Sequence, residues 1–364
     1  MRTYRVIVMG TGFVGHLAIR AILDHPQLDL VGLWVHDPDK VGRDAGELAR
    51  EARRTGILAT DDIEHLLSLR ADCLLSAAAG NGRDDFIVEC HSRFLAAGTN
   101  VVSSSLAGLN HPVSYYRQDL VERLRSAAAA GQSSFLGTGL DPGYSSDLAI
   151  NLTQASYYWS SIRIQENYDY STYLPTQTEE VLRFGLGFGQ PMDFEAHLFQ
   201  PGTLQAIWGG PSVQLIAEAL GVTIEGFRER YWRHAADLTY EVPGFGTIEQ
   251  GTQEAFRFEI QGLVDGRPAI VHEHVTRMRK GSAPQWSSGD YGEGYYISIE
   301  GDPGISAHFG FAGADGDHQY GAIDATAMKM VNAIPALCEA RPGVLTAPMD
   351  LPAMMGRGIY RPAG

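Results

Sequence analysis

Cysteine is scarce in this chain. There are three, Cys73, Cys90 and Cys338, odd in number and scattered, with no C-x-x-C pair and no zinc spacing. That pattern offers neither a disulfide framework nor a thiolate metal site. Cys73 lies in the apolar run DCLLSAAA and Cys338 in an apolar helical stretch, so each reads as a small buried hydrophobe. A reducing, cytoplasmic compartment is expected. Positive charge is also short, with 28 Lys and Arg against 43 Asp and Glu and a net charge of −15. A surface of that sign repels phosphate backbones, so nucleic acid is not an expected partner. No apolar run is long enough to span a bilayer. Residues 1–10 lack the basic, apolar and small-residue series of a secretory signal. No internal repeat and no low-complexity segment is present.

What remains is a globular chain. Its 364 residues are 44% hydrophobic and 20% charged, which predicts two domains. Up to residue 137 short apolar strands alternate with helices. Strands are expected at 5–9, 28–36, 56–59, 71–79, 100–104 and 134–137. Helices are expected between them, the last spanning 113–130 and closed by Gly131. That alternation implies a doubly wound parallel α/β sheet. From residue 145 the pattern becomes strand-rich. Residues 255–264 and 269–278 flank Asp265-Gly266, a hairpin-turn signal, and further strands are expected at 159–166, 295–299 and 308–311. These describe an α+β domain on a mixed or antiparallel sheet. The expected division is 1–145 for the first domain, with the helix-bearing segment 320–364 packing back on it, and 146–319 for the second. The final helix, 322–340, is expected to break at Ile334-Pro335.

Gly10, Gly12 and Gly15 form G-T-G-F-V-G directly after the first strand, and Phe13 and Val14 open the first helix. In that context the glycines mark a dinucleotide site. Gly10 permits the tight turn, Gly12 lets the pyrophosphate approach the backbone, and Gly15 lets helix and strand pack closely. Asp37 lies 22 positions beyond Gly15, where it can accept hydrogen bonds from the ribose of NAD. Lys40 and Arg43 can neutralise the 2′-phosphate of NADP instead, and His36 suits either. Asp37-Pro38-Asp39 also reads as a plain turn. The cofactor is therefore NAD or NADP. Ala78, Ser103, Gly139 and Pro142 fall at carboxyl ends of strands, where such sheets bind ligands. Asp141 reads equally as a helix N-cap. In the strand 269–279, His272, His274 and Thr276 share one face, expected to be wet. Two histidines at that spacing lack a third ligand, so no metal is expected.

Together these segments resemble the proteins that carry a dihydrodipicolinate-reductase N-terminal domain, and among them the mycobacterial-type members and the 2,4-diaminopentanoate and native amine dehydrogenases. The resemblance spans nearly the whole chain. It rests on G-T-G-F-V-G at 10–15, D-P-D-K-V-G-R-D-A-G-E-L at 37–48, G-T-G-L-D-P-G-Y at 137–144, G-F-G-Q-P at 187–191 and V-N-A-I-P-A-L at 331–337. It implies reversible hydride transfer between a nicotinamide and a carbon bearing nitrogen or oxygen, and a homodimer built through the second domain. The paired-histidine, lysine and D-A-P-S-G-T-A motif of true dihydrodipicolinate reductases is absent, which argues against lysine biosynthesis. The amine dehydrogenases carry a glutamate just after the fifth strand, in a segment like V-I-T-x-x-E-E. Here residues 101–108 read V-V-S-S-S-L-A-G, without a carboxylate. Matched with those enzymes, the stretch from Glu166 through Tyr168, Asp169 and Tyr170 to Tyr173 lines the substrate pocket.

The expectation is thus reduction of a C=O or C=N bond on a small or medium, fairly apolar substrate. Glu166, Tyr168, His197 and His274 would line the pocket. Tyr173 is the first choice of proton donor, His272 the second, and Ser103–Ser105 or His111 the fallback. Gly187, Gly189 and Pro191 would hinge a lid. Amine dehydrogenation at an atypical site and dinucleotide sensing without catalysis are the alternatives.

Overall fold

The computed structural model describes residues 2–80, 82–172, 180–286, 292–313, 316–352, 354 and 356. The chain divides into two compact units, Met1–Tyr144 together with Ile323–Gly364, and Ser145–Ala322.

The first unit is built on β1 (Tyr4–Met9), β2 (Leu28–Trp34), β3 (Ala59–Thr60), β4 (Cys73–Ser76), β5 (Asn100–Ser103) and β6 (Ser134–Gly137), joined by a last strand, β15 (Gly343–Leu345). The order is β15-β6-β5-β4-β1-β2-β3, and every neighbouring pair is parallel. Val6, Ile7, Val8 and Met9 are wholly buried. A strand buried on both faces reads as a continuous apolar run, which is why β1, β4 and β6 stand out in the sequence. Helices α1 (Phe13–Asp24), α2 (Ala45–Leu48), α3 (Ile63–Ser68), α4 (Asp84–Ala96) and α5 (Gln118–Gly131) connect the strands. Asp62 caps α3 by accepting from the His65 amide.

Two expected elements change here. α5 begins at Gln118, not 113, because residues 112–114 form a separate tight turn. Gln118 Nε2 donates to the carbonyls of Pro112, Val113 and Tyr115 and holds that turn off the helix. The final helix, α8 (His318–Glu339), does not break but runs through Pro335. Proline removes one interior hydrogen bond, and Ala333, Ile334 and Leu337 on either side are wholly buried, a packing gain that offsets it.

The second unit begins with α6 (Ser145–Leu152) and carries a six-stranded sheet of β7 (Tyr158–Asp169), β8 (Gly226–Ala235), β11 (Gln253–Val264), β12 (Arg267–Arg277), β13 (Gly294–Asp302) and β14 (Ile305–Phe309). Its order is β14-β13-β7-β12-β11-β8. The sheet is mixed, because β7 and β12 pair in parallel while its other pairs are antiparallel. Asp265 and Gly266 take φ of 50° and 70° in the β11–β12 turn, as a two-residue hairpin of that sequence requires. A small ladder of β9 (Tyr240–Val242) and β10 (Gly246–Ile248) stands beside it. A wound segment, Gln205–Gln214, leads into α7 (Leu215–Ala219) and packs on the sheet through Trp208.

The segment with Gly187, Gly189 and Pro191 is not a free lid. Gly189 donates to the Gln253 carbonyl at 2.9 Å, and Gln253 donates back to Gln190 at 2.9 Å. Phe188 is wholly buried against Phe256. Lifting this loop would expose a phenyl ring and break two backbone bonds. Among the described residues, no helix is long and apolar enough to cross a membrane.

Candidate active site

Each glycine of the turn between β1 and α1 meets a different steric demand. Gly10 has φ of +98°, and a Cβ there would lie 3.0 Å from the Ala78 backbone at the end of β4. Ala78 itself is buried. A Cβ on Gly15 would overlap the Gly10 carbonyl oxygen, whereas a Cβ on Gly12 meets nothing within 4 Å. The open space lies over the N-terminus of α1, where Gly12 provides no side-chain cap and the first turn carries no acid. First-turn amides that no side chain caps form an anion site. Phe13 and Val14 are half-buried there. His16 is buried below, its Nδ1 3.2 Å from the Gly12 carbonyl, and burial lowers its pKa. The turn fits a dinucleotide pyrophosphate.

Beyond β2, His36 is exposed. Asp37 Oδ1 accepts from the Asp39 amide at 3.0 Å, so Asp37 does serve the turn. Its Oδ2 lies 3.8 Å from Lys40 Nζ, and Lys40 Nζ donates to Thr11 Oγ1 at 3.3 Å. Arg43 is occupied by Glu47, at 2.8 and 3.1 Å.

At the carboxyl ends of β4 and β5, Ser76, Ser103 and Ser105 are buried. Ser76 Oγ and Ser105 Oγ are 3.0 Å apart, and Ser103 Oγ accepts from the Ser105 amide at 3.1 Å. These hydroxyls satisfy one another. His111 is buried and bonded to Ser114 Oγ at 2.8 Å. After β6 the backbone turns through Gly139, Pro142 and Gly143. Asp141 is extended, with φ −147° and ψ 113°, and stands four residues ahead of α6, too far to be its N-cap. Asn110 donates to the Pro142 carbonyl and steadies this turn.

In the second unit, strand register assembles a row across the sheet. Glu166 on β7 faces His274 on β12 and Tyr295 on β13, and His274 faces Phe258 on β11. Glu166 Oε1 lies 3.3 Å from His274 Nδ1 and accepts from Tyr170 at 3.2 Å. Tyr295 donates to the other carboxylate oxygen. His274 Nε2 is 3.1 Å from His272 Nε2. Donor and acceptor must alternate. A His274 that donates from Nδ1 to Glu166 presents a bare Nε2, so His272 donates to it. A relay of His272, His274 and Glu166 results. Its face is not wet: His272 is 1% exposed and His274 5%. Trp208 stacks on His272 and meets His274 at a tilt, and Phe258 lies nearly parallel to His274 at 4.7 Å. Tyr168 is buried against Tyr295.

One expected residue stays outside this group. His197 is exposed on the short turn His197–Phe199, unlike the buried Glu166 and His274. Tyr173 lies outside the described residues. Two contributors went unnoticed in the sequence, Tyr295 and Trp208. Tyr295 belongs to a recognisable strand, but only the register places it opposite Glu166. Trp208 sits in a glycine-rich stretch with no periodicity.

Residues 146–358 match the family described as 2,4-diaminopentanoate dehydrogenase C-terminal domain. Residues 4–102 match that described as dihydrodipicolinate reductase, N-terminus. The chain belongs to the 2,4-diaminopentanoate and amine dehydrogenase family. It is 39% identical, over 353 residues and 95% of each chain, to an amine dehydrogenase of Streptomyces virginiae. Among solved structures it is similar to the amine dehydrogenase of Mycobacterium smegmatis, with a TM-score of 0.76 and 19% identity over 98% of this chain and 97% of that one. An NAD-binding oxidoreductase from Klebsiella pneumoniae gives a TM-score of 0.51 and 14% identity over 94% and 92%. At these identities the two structures bear on the fold alone. As a member of this dehydrogenase family the chain is an NAD(P)-dependent oxidoreductase and an enzyme, which sets aside the dinucleotide-sensing alternative.

Proposed function

We propose that this enzyme exchanges hydride with a carbon bearing nitrogen, and that Glu166 takes the part of the carboxylate missing after β5. The observation that carries this reading is the Glu166 row, a buried carboxylate amid Tyr170, Tyr295 and His274. A buried anion needs a charge partner or several donors, and a cationic amine supplies the first. The 39% identity to an amine dehydrogenase supports the same class. In the overall reaction a protonated primary amine, water and the oxidised cofactor give a ketone, ammonium, a proton and the reduced cofactor. A bound nicotinamide supplies or takes the hydride. Glu166 orients the nitrogen, the two histidines pass a proton along their row, and Trp208 and Phe258 keep water from it. Tyr173, four residues beyond the end of β7 in sequence, is the first choice of proton donor to the reacting centre, and His272 the second. Glu166→Gln keeps the shape and removes the charge. It should lower kcat by about 10²-fold or more, with NAD(P)H affinity within about twofold. An unchanged kcat would remove Glu166 from the chemistry.

Plain carbonyl reduction is the second reading. It is favoured by the serines after β5, which bond to one another and offer no charge to an ammonium nitrogen.

A homodimer through the second unit is part of the proposal. On the opposite face of that sheet from Glu166, Arg163 and Arg257 interlock with Glu259 and Glu273. Glu259 and Glu273 are buried under the half-buried arginines, and a second copy related by a two-fold axis would cover that face. Sedimentation of a single monomer species at micromolar concentration would contradict it. A reducing compartment is proposed for the three free thiols.

A further inference from the structure

The region beyond β2 bears on which dinucleotide the enzyme accepts. An aspartate at this place ordinarily selects NAD twice over: it accepts from the ribose hydroxyls and repels a 2′-phosphate. Asp37 is compromised in both respects. One carboxylate oxygen is committed to the Asp39 amide, and the other faces the Lys40 ammonium at 3.8 Å. Lys40 also donates to Thr11 Oγ1 at 3.3 Å, inside the glycine turn. Its charge thus sits between the pyrophosphate turn and the ribose acid. Of the cations nearby in sequence, Arg43 is directed to Glu47, whereas Lys40 alone meets both Asp37 and the glycine turn. The Asp37–Lys40 pair is half-exposed, with side chains 46% and 34% accessible. Such pairs are weakly held, so Lys40 can exchange Asp37 for a ligand phosphate at little cost.

We propose that Lys40 is the specificity-determining residue for the dinucleotide. It offsets the charge of Asp37 and takes the 2′-phosphate, so the enzyme uses both NADP(H) and NAD(H). The inference rests on the glycine turn binding a dinucleotide at all.

Calorimetric titration with four probes tests it: NADPH, NADH, 2′-phospho-ADP-ribose and ADP-ribose. The unaltered protein should bind NADPH and NADH with Kd values within about tenfold of each other. One charge-assisted hydrogen bond to phosphate corresponds to roughly ten- to a hundredfold in affinity. Lys40→Met should therefore weaken NADPH and 2′-phospho-ADP-ribose by about that factor and leave NADH and ADP-ribose within about threefold. Lys40→Arg should retain most of the NADPH affinity. An equal change for phosphorylated and unphosphorylated probes, or none, overturns the role of Lys40. Failure of all four probes to bind the unaltered protein overturns the dinucleotide reading beneath it.

Discussion

Gly12 and Gly15 are both glycines of one motif, yet the structure assigns them opposite sensitivities. The backbone at Gly12 has φ −69° and ψ −168°, a conformation open to any L-residue, and a Cβ there meets nothing within 4 Å. Gly12→Val should leave the unliganded fold within about 1 kcal/mol of the original. What it fills is the approach to the first-turn amides of α1. A pyrophosphate displaced from two of those donors forfeits two charge-assisted bonds at about 1.5–3 kcal/mol each, or roughly 10²–10⁴ in Kd. A Cβ on Gly15 instead collides with the Gly10 carbonyl oxygen, so Gly15→Val should destabilise the unliganded protein by about 3 kcal/mol or more. Paired thermal melts without ligand and NADH titration separate the two. Normal dinucleotide affinity in Gly12→Val, or a melting loss equal to that of Gly15→Val, would refute the assignment.

Other outcomes follow from single groups. His91 on α4 is wholly buried with no partner on either ring nitrogen among the described residues, and burial lowers its pKa from 6.5 to about 3. The unfolded chain then binds the proton first. The stability due to neutral His91 is complete above pH 6.5 and is lost as pH falls towards 3, by about 2 kcal/mol between pH 7.5 and pH 5. Hydrogen exchange of α4 should show that loss in the unaltered protein and much less of it in His91→Leu; parallel pH profiles would contradict it. Asp37→Ala removes a partly committed acceptor and a charge that Lys40 already offsets, so the NADPH-to-NADH affinity ratio should rise by no more than about threefold, and a rise of about tenfold or more would show that Asp37 selects NAD in full. Tyr173→Phe should lower kcat by about 10²–10⁴-fold with cofactor affinity within about twofold, and a near-normal kcat would pass the donor role to His272.

Much of the first unit was legible because its signals are local. The glycine turn, the buried runs of β1, β4 and β6, and the Asp265-Gly266 hairpin each occupy a few consecutive residues. β15 escaped notice because three residues, Gly343–Leu345, become a strand only beside β6. β8 escaped because G-F-R-E-R-Y-W-R-H-A carries its charges on a largely half-exposed edge strand, without an apolar alternation to betray it. Period-two alternation correctly put His272 and His274 on one face. It could not say that Trp208, more than sixty residues earlier, would cover that face. The lid expected at Gly187 and Gly189 failed for a similar reason. Glycine marks where a chain can bend, and the burial of Phe188 decides that this one does not.

Nitrogen chemistry is the central claim, and ammonium dependence tests it most directly. Oxidation of NADH and NADPH is followed with a panel of small apolar ketones, with and without ammonium at saturating concentration. The account predicts oxidation that requires both ketone and ammonium, yields the primary amine, and falls by about 10²-fold or more in Glu166→Gln. Oxidation that proceeds equally well without ammonium, and gives an alcohol, would contradict it.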